Sequence, residues 1–453
     1  MRFPESLLKE LEENFSIDKN AFLAAHENAA PVSVRINPLK PDLGFEKGDA
    51  VPWCENAFYL PTRPVFTSDP LFHAGYYYVQ EASSMFVEHA VKQTVDLNEK
   101  VIALDACAAP GGKSTLVASL LNSESLLVSN EVISTRVPVL VHNMVKWGTT
   151  NSIVTNNDPK DFSRLPNFFD LVVVDAPCSG SGLFRKQEDA VDHWSEENVH
   201  HCSQRQERIL HDLAPALKEN GILIYSTCSY SMEEDERICD ELINDLKLEP
   251  VELKIPAEWG ILQTKSKSGA VGYRFFPHLA KGEGFFLACF RKPANEESTE
   301  TRRSKSREAS LVRLSKEEEK AVGEFYPETE TIFSKYTDEI IGWSKNISEE
   351  ICAVSSALKV KKYPLHLGQL KGKDFIPHPY SAYLPHVSTN ISKTDVDSDA
   401  ALKFLRKQNF ELSGEKGFTL VTYRGRGLGW AKNLGNRVNN YYPAEWRILK
   451  EEF

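Results

Sequence analysis

From about residue 100 to residue 292, short apolar runs alternate with amphipathic stretches, and no other feature limits the fold as strongly. Short runs of β-branched and aliphatic residues, such as Val101-Ile-Ala-Leu104, Leu171-Val-Val-Val174 and Ile222-Leu-Ile-Tyr225, suit buried strands, and the stretches between them carry helical spacing, so the pattern reads as repeated βαβ units. It predicts strands over 100–106, 125–130, 152–156, 170–175, 221–226 and 284–291, and helices near 112–122, 134–147, 196–219 and 234–246. Gly221, after Glu219 and Asn220, reads as a helix stop leading straight into a strand. In an open parallel α/β sheet the carboxyl ends of the strands converge on one crevice, so the residues following each strand are the candidates for chemistry.

After the first strand comes Asp105-Ala-Cys-Ala-Ala-Pro-Gly-Gly-Lys-Ser114. The small residues Ala108, Ala109, Pro110, Gly111 and Gly112 let backbone N–H groups approach a ligand at a helix N-terminus. A phosphate-binding P-loop needs a further glycine five residues before Gly112, where Cys107 stands, which disfavours that reading. S-adenosylmethionine needs no pyrophosphate cradle but does need an acid after the second strand for its ribose hydroxyls. Glu131 lies 19 residues beyond Gly112, close to the ~20-residue offset of dinucleotide folds. Asp158, after the third predicted strand, can meet the adenine amino group; singly, each carboxylate reads equally well as a loop residue or helix cap.

Two cysteines follow later strands, Cys178 in Asp-Ala-Pro-Cys-Ser-Gly and Cys228 in Ser-Thr-Cys-Ser. Most cysteines are small buried hydrophobes, and Cys54, Cys202, Cys239 and Cys289 read that way. Cys178 and Cys228 instead stand among Ser, Gly and Pro, each expected to precede a helix N-terminus that favours the thiolate. Carbon 5 of a cytosine is a poor nucleophile until something adds at carbon 6, and a thiolate can add there. An acid at ring nitrogen 3 eases the addition, and Asp175, three residues before Cys178, suits that role; such an acid must be protonated or share a proton, which burial favours. Amino-group methylation, the rival chemistry, requires no thiol, and a cytosine-5 DNA enzyme leaves the second thiol unexplained.

At 453 residues, 41% apolar and 26% charged, the chain is long enough for several cores. Neither a signal peptide nor a membrane span is expected, and eight dispersed cysteines without a Cys-x-x-Cys pair suit reduced thiols in a cytoplasm rather than a metal site. The formal charge of −11 is unevenly spread: ten Lys/Arg face three Asp/Glu between Ala401 and Lys450. Basic residues with Tyr423, Trp430, Tyr441, Tyr442 and Trp446 suit phosphate contacts and base stacking, or a β core with a solvated basic face. The expected organisation is an RNA-facing segment over 1–95, a catalytic domain over 96–293, a linker over 294–310, an intermediate domain over 311–375 and a small, mostly β module over 376–453.

The pieces DACAAPGGKST (105–115), DAPCSGSGLFRK (175–186), YSTCSYSMEEDE (225–236), SVRINPLK (33–40) and HAGYYYVQEASSM (73–85) resemble the Nol/Nop/Sun family of RNA cytosine-5 methyltransferases. The resemblance implies a Rossmann-like, S-adenosylmethionine-dependent catalytic sheet. It implies that Cys228 is the nucleophile, that Cys178 assists proton removal or product release, and that Asp175 contacts the cytosine, with the Pro177 carbonyl near its exocyclic amine. Cofactor contacts are implied for Cys107, Ala108, Ala109, Pro110, Gly111, Gly112, Lys113, Glu131, Asp158 and Asp175, while Lys113 and Lys186 line the site. Segments 427–432 and 439–443 look like the PUA-like tail of the bacterial RsmF branch, whose members methylate small-subunit rRNA. The implied partner is therefore 16S rRNA or the 30S subunit, with transfer RNA as the alternative substrate and a non-catalytic RNA-binding assembly factor as the alternative role.

Overall fold

The computed structural model describes all residues except 1–2, 41–43, 45–46, 187–188, 295–311, 373, 413 and 451–453. Its centre is a Rossmann-like sheet whose five parallel strands lie in the spatial order Leu217–Thr227, Phe169–Asp175, Ile102–Asp105, Leu126–Asn130 and Ser152–Thr155. The chain steps outward from Ile102–Asp105 through the next two strands, then returns to that strand's other side with Phe169–Asp175. The reversal opens the crevice between the two, where Asp105 pairs in register with Val173 and Asp175 with Ser226. Helices Gly112–Leu120, Val137–Trp147, Glu196–Leu213 and Glu236–Asn244 connect and cover the strands.

The strands form where the sequence pattern predicts them because their runs are buried on both faces: Ile102, Ala103, Leu104, Leu171, Val172, Val173 and Val174 are all nearly inaccessible. The outer strands depart from a purely parallel sheet. Phe285–Arg291, Val271–Phe275 and Leu262–Lys265 add antiparallel at one edge, and Val360–Lys362, from far along the chain, adds antiparallel to Ser152–Thr155 at the other. Gly221 is not the helix stop expected of it. The helix ends at Leu213 before a short turn containing Pro215, which has no N–H to continue the ladder, and Asn220 takes the left-handed conformation (φ 61°) inside the next strand.

Before the catalytic sheet, Ala57–Leu60, Val32–Ile36 and Tyr77–Val79 form a three-stranded antiparallel sheet. After it come two four-stranded sheets. One holds Thr331–Tyr336, Glu339–Ser344, Leu365–Lys371 and Asp374–Pro377; the other holds Ser392–Asp395, Gly417–Tyr423, Arg426–Asn433 and Val438–Asn440, with helix Ser398–Leu405 packed on it. The linker expected over 294–310 lies, from residue 295 on, outside the described residues. Tyr442 is buried in the last sheet's core and Trp430 is buried against Phe325, while Trp446 is stacked between neighbours, with His142 at 4.1 Å and Tyr380 at 5.4 Å between ring centres. Of the five aromatics that suited base stacking, only Tyr423, Tyr441 and Trp446 keep part of their surface open. Among the described residues no helix is long and apolar enough to cross a membrane.

Candidate active site

The glycine-rich turn leaves strand Ile102–Asp105 and enters helix Gly112–Leu120 through Gly111, whose φ of 114° a side chain would strain. Its carbonyls are tied down: Arg136 Nη2 donates to Ala109 O at 2.6 Å and Asn143 Nδ2 to Pro110 O at 2.8 Å. The amino-terminal sheet braces the helix that follows. Arg35, buried over the Trp147 ring at 4.5 Å, donates through Nη2 to Gly112 O (3.2 Å) and Thr115 Oγ1 (2.6 Å), and through Nε to Gln80 Oε1 (3.2 Å). The turn is held open by bonds from three directions.

Asp105 itself, absent from the expected contacts, is fully buried; Ser114 Oγ donates to its Oδ2 at 2.6 Å, and its Oδ1 has no hydrogen-bond partner. Burial drives this carboxyl up to about 7 against the Ser114 bond. Glu131, buried at the end of the second strand, accepts the Ile133 N–H at 2.8 Å on Oε1, while Oε2 lies 3.4 Å from Arg136 Nη1. Asp158 caps the turn Pro159–Arg164 by accepting from Lys160 N (3.2 Å) and lies 3.5 Å from Arg208 Nη1, so its carboxylate already has a structural task. Burial pushes the Cys107 thiol up, which leaves it a neutral lining of the turn. The donor set fits S-adenosylmethionine: an unpaired buried acceptor on Asp105 for an ammonium, and a second acid one strand away for a ribose diol.

Lys113 Nζ reaches across the crevice to Asp175 Oδ2 at 2.8 Å, and Ser226 Oγ donates to Asp175 Oδ1 at 3.1 Å. Burial opposes the Lys113 charge, but Asp175 and Asp105 outweigh it and raise its pKa. The burial expected for Asp175 is a correction: its side chain is 35% exposed and salt-bridged to Lys113.

The two thiols meet. Cys178 Sγ and Cys228 Sγ are 2.9 Å apart, both free and both partly accessible. The bond to Cys228, reinforced by burial, holds the Cys178 thiol well above the ordinary range. Neither thiol sits at a helix N-terminus, contrary to expectation: only the short turn Ser181–Leu183 follows Cys178, and helix Glu236–Asn244 begins eight residues after Cys228. Backbone contact joins the two turns instead. Gly182 N donates to Cys228 O at 2.8 Å, and a Cβ on Gly182 would come within 2.5 Å of Gly284 O, so the motif needs glycine there.

Pro177 O accepts from Gln206 Nε2 at 3.1 Å, which aims the carbonyl, while Lys186 is exposed beside Arg185, whose guanidinium pairs with buried Glu283 at 2.9 Å. Cys54, Cys202, Cys239 and Cys289 are buried, as small hydrophobes should be. Two features lie away from the crevice. A cavity of about 560 Å³, lined in part by Lys40, Trp147, Tyr383, Lys393 and Arg426, opens where the amino-terminal segment and the last sheet meet the loop entering strand Ser152–Thr155, the end of the sheet opposite the thiols. Glu339, His366 and His378 converge, but each imidazole already accepts a backbone N–H on its other nitrogen, from Tyr363 and Tyr380. Both rings therefore donate to Glu339, at 3.1 Å and 3.3 Å, which makes the trio a hydrogen-bonded brace rather than a lone-pair cluster.

Comparison with known proteins follows this geometry. The description "16S rRNA methyltransferase RsmB/F" matches residues 92–291, "N-terminal domain of 16S rRNA methyltransferase RsmF" residues 3–82, and "Methyltransferase RsmF PUA domain" residues 392–448. The chain is 30% identical to a ribosomal RNA small subunit methyltransferase F of Vibrio vulnificus (strain YJ016), over 98% of this chain and 97% of the relative. It is 31% identical to the protein of that name from Aeromonas salmonicida (strain A449), over 95% and 93%. A methyltransferase homolog protein of known structure from Pyrococcus horikoshii superimposes with a TM-score of 0.51 at 27% identity, covering 64% of this chain and 99% of that one. Similarity running from the sheet that braces the cofactor turn through to the C-terminal sheet makes the chain a member of the ribosomal RNA small subunit methyltransferase F family of S-adenosylmethionine-dependent enzymes.

Proposed function

We propose that this enzyme methylates carbon 5 of a cytosine in 16S rRNA, free or within the 30S subunit, through a covalent cysteine adduct. The observation that carries the reading is the pair of thiols 2.9 Å apart, on turns that leave the two strands next in order to the one carrying the cofactor turn. S-adenosylmethionine, when bound, supplies a methyl group on a sulfonium. Cys228 adds to carbon 6 and makes carbon 5 nucleophilic; Asp175, fixed by Lys113 and Ser226, addresses the ring nitrogen, and the Pro177 carbonyl the exocyclic amine. After methyl transfer the carbon-5 proton leaves and Cys228 is expelled, with Cys178 assisting. Cys107 to Lys113, Glu131 and Asp158 hold the cofactor, and Lys186 lines the rim toward the RNA. In this reading residues 1–95 and 376–453 present RNA-facing surfaces, and the target base leaves its stack to reach Cys228. The names of the relatives support small-subunit rRNA as substrate, and the basic stretch from Ala401 to Lys450 supports an RNA partner.

Bisulfite sequencing of total RNA from cells lacking the gene, complemented with wild type or Cys228→Ala, tests this. The expected result is one or more small-subunit rRNA cytosines whose protection returns only with wild type. Protection lost from transfer RNA instead would keep the chemistry and overturn the substrate; no change anywhere would overturn both.

A further inference from the structure

Beside the thiols lies a carboxylate that the proposed chemistry leaves unused. Glu234 is completely buried, yet it accepts four hydrogen bonds. Its Oε2 receives the hydroxyls of Ser179 (2.5 Å) and Ser229 (2.6 Å), and its Oε1 receives the Ser179 backbone N–H (2.8 Å) and the Gln206 amide (3.1 Å). Ser179 follows Cys178 and Ser229 follows Cys228. One side chain therefore grips both thiol turns at the residue after each sulfur. The same Gln206 amide orients Pro177 O, and its Oε1 lies 3.0 Å from the Tyr225 hydroxyl, which is also 2.5 Å from the Glu234 carbonyl. Four donors saturate a carboxylate, so the ionised form fits the geometry, although burial outweighs these bonds and leaves the Glu234 pKa raised. The negative charge also helps keep the proton on Cys178.

We propose that Glu234 is a positioning residue that holds the two thiols in a single geometry, so that adduct formation at Cys228 and its breakdown with Cys178 stay coupled. This rests on the thiol roles assigned above. Glu234 touches neither substrate nor cofactor in this scheme; it acts through Ser179 on one thiol and through Ser229 on the other. Replacing it with glutamine keeps the shape but turns two of the four acceptor positions into donors that face donors. A displacement of the order of 1 Å at a reacting group is enough to cost about 10²-fold in rate.

The test uses the full-length chain with an RNA transcript and compares Glu234→Gln, Ser179→Ala and Ser229→Ala, with Cys178→Ala as control. Each variant is measured for kcat, KM for RNA, S-adenosylmethionine affinity by equilibrium dialysis, and RNA adduct surviving a denaturing gel. Glu234→Gln is expected to lower kcat by roughly 100-fold while KM and cofactor affinity stay within about threefold. The serine variants should separate: Ser179→Ala, which loosens the release thiol, accumulates adduct, whereas Ser229→Ala, which loosens the nucleophile, forms less. A Glu234→Gln enzyme with wild-type kcat, or one that loses cofactor affinity in step with kcat, would overturn the proposal. Should Glu234→Gln not fold, the serine pair decides, and identical behaviour of the two refutes the clamp. If Cys178→Ala traps no adduct, the thiol assignment falls and the clamp falls with it.

Discussion

Lys113 Nζ and Asp175 Oδ2 lie 2.8 Å apart, joining the cofactor turn to the strand that leads into the first thiol. The pair spans the point where the strand order reverses, so it couples occupancy of one half of the crevice to geometry in the other. Asp175→Asn removes the counter-charge of Lys113 and the carboxyl proposed to address the ring nitrogen. Single-turnover methyl transfer should fall by about 10²-fold or more, with S-adenosylmethionine still bound. Transfer within threefold of wild type would remove Asp175 from the chemistry.

The roles proposed for the two thiols give their variants different fates. Cys228→Ala should abolish turnover and leave no RNA-linked band on a denaturing gel. Cys178→Ala should permit addition but impair release, so a persistent protein–RNA band appears and label from S-adenosylmethionine travels with it. Bands in the reverse order would exchange the two roles.

Asp105 makes the cofactor site sensitive to pH near neutrality. Its folded carboxyl titrates at about 7, above the ordinary carboxylate value, so between those values the folded state holds a proton that the unfolded chain has released. That contribution to stability is therefore full below pH ~4, is lost as pH rises through about 7 and is flat above it. Binding of a cationic ammonium at Oδ1 favours the ionised form, so cofactor affinity should rise as pH increases from 6 to 8, with roughly half a proton released at pH 7. Calorimetry in two buffers of different ionisation enthalpy measures that release, and Asp105→Asn should abolish it. Equal heats in both buffers for the wild type would exclude Asp105 as the titrating partner.

The catalytic strands were legible because each is a buried β-branched run followed by an unusual turn, and burial on both faces leaves few other ways to fold such a run. The thiols were legible for the same reason, since Ser, Gly and Pro around a cysteine mark a turn rather than a core. What stayed hidden depends on distant partners. Glu234 lies within Glu233-Glu-Asp-Glu236, and nothing in that run points to the thiols until the fold brings Ser179 and Gln206 to it. Val360–Lys362 carries no strand expectation, yet Lys362 is buried with Nζ 3.2 Å from Ser152 O, because the edge of the catalytic sheet offers its carbonyls. The Asp105 carboxyl had a visible signal, an acid ending an apolar strand, whose meaning depends on Oδ1 being left without a partner.

Arg35 couples the amino-terminal sheet to cofactor binding. It is buried without a carboxylate hydrogen bond, and its planar fork serves Gly112 O, Thr115 Oγ1 and Gln80 Oε1 at once. An ammonium on a flexible stem cannot span that set, so Arg35→Lys keeps the charge and loses the brace on the first turn of the cofactor helix. Hydrogen bonds from a charged donor contribute about 1.5–3 kcal/mol, and 1.4 kcal/mol is tenfold in affinity, so S-adenosylmethionine should bind roughly 10-fold or more weakly. The chemistry lies elsewhere, so kcat at saturating cofactor should stay within about threefold, because Lys113, Asp175 and both thiols keep their partners. Equilibrium dialysis and steady-state kinetics together decide it. A variant that binds the cofactor normally but loses kcat would mean that the amino-terminal sheet positions RNA rather than the cofactor turn.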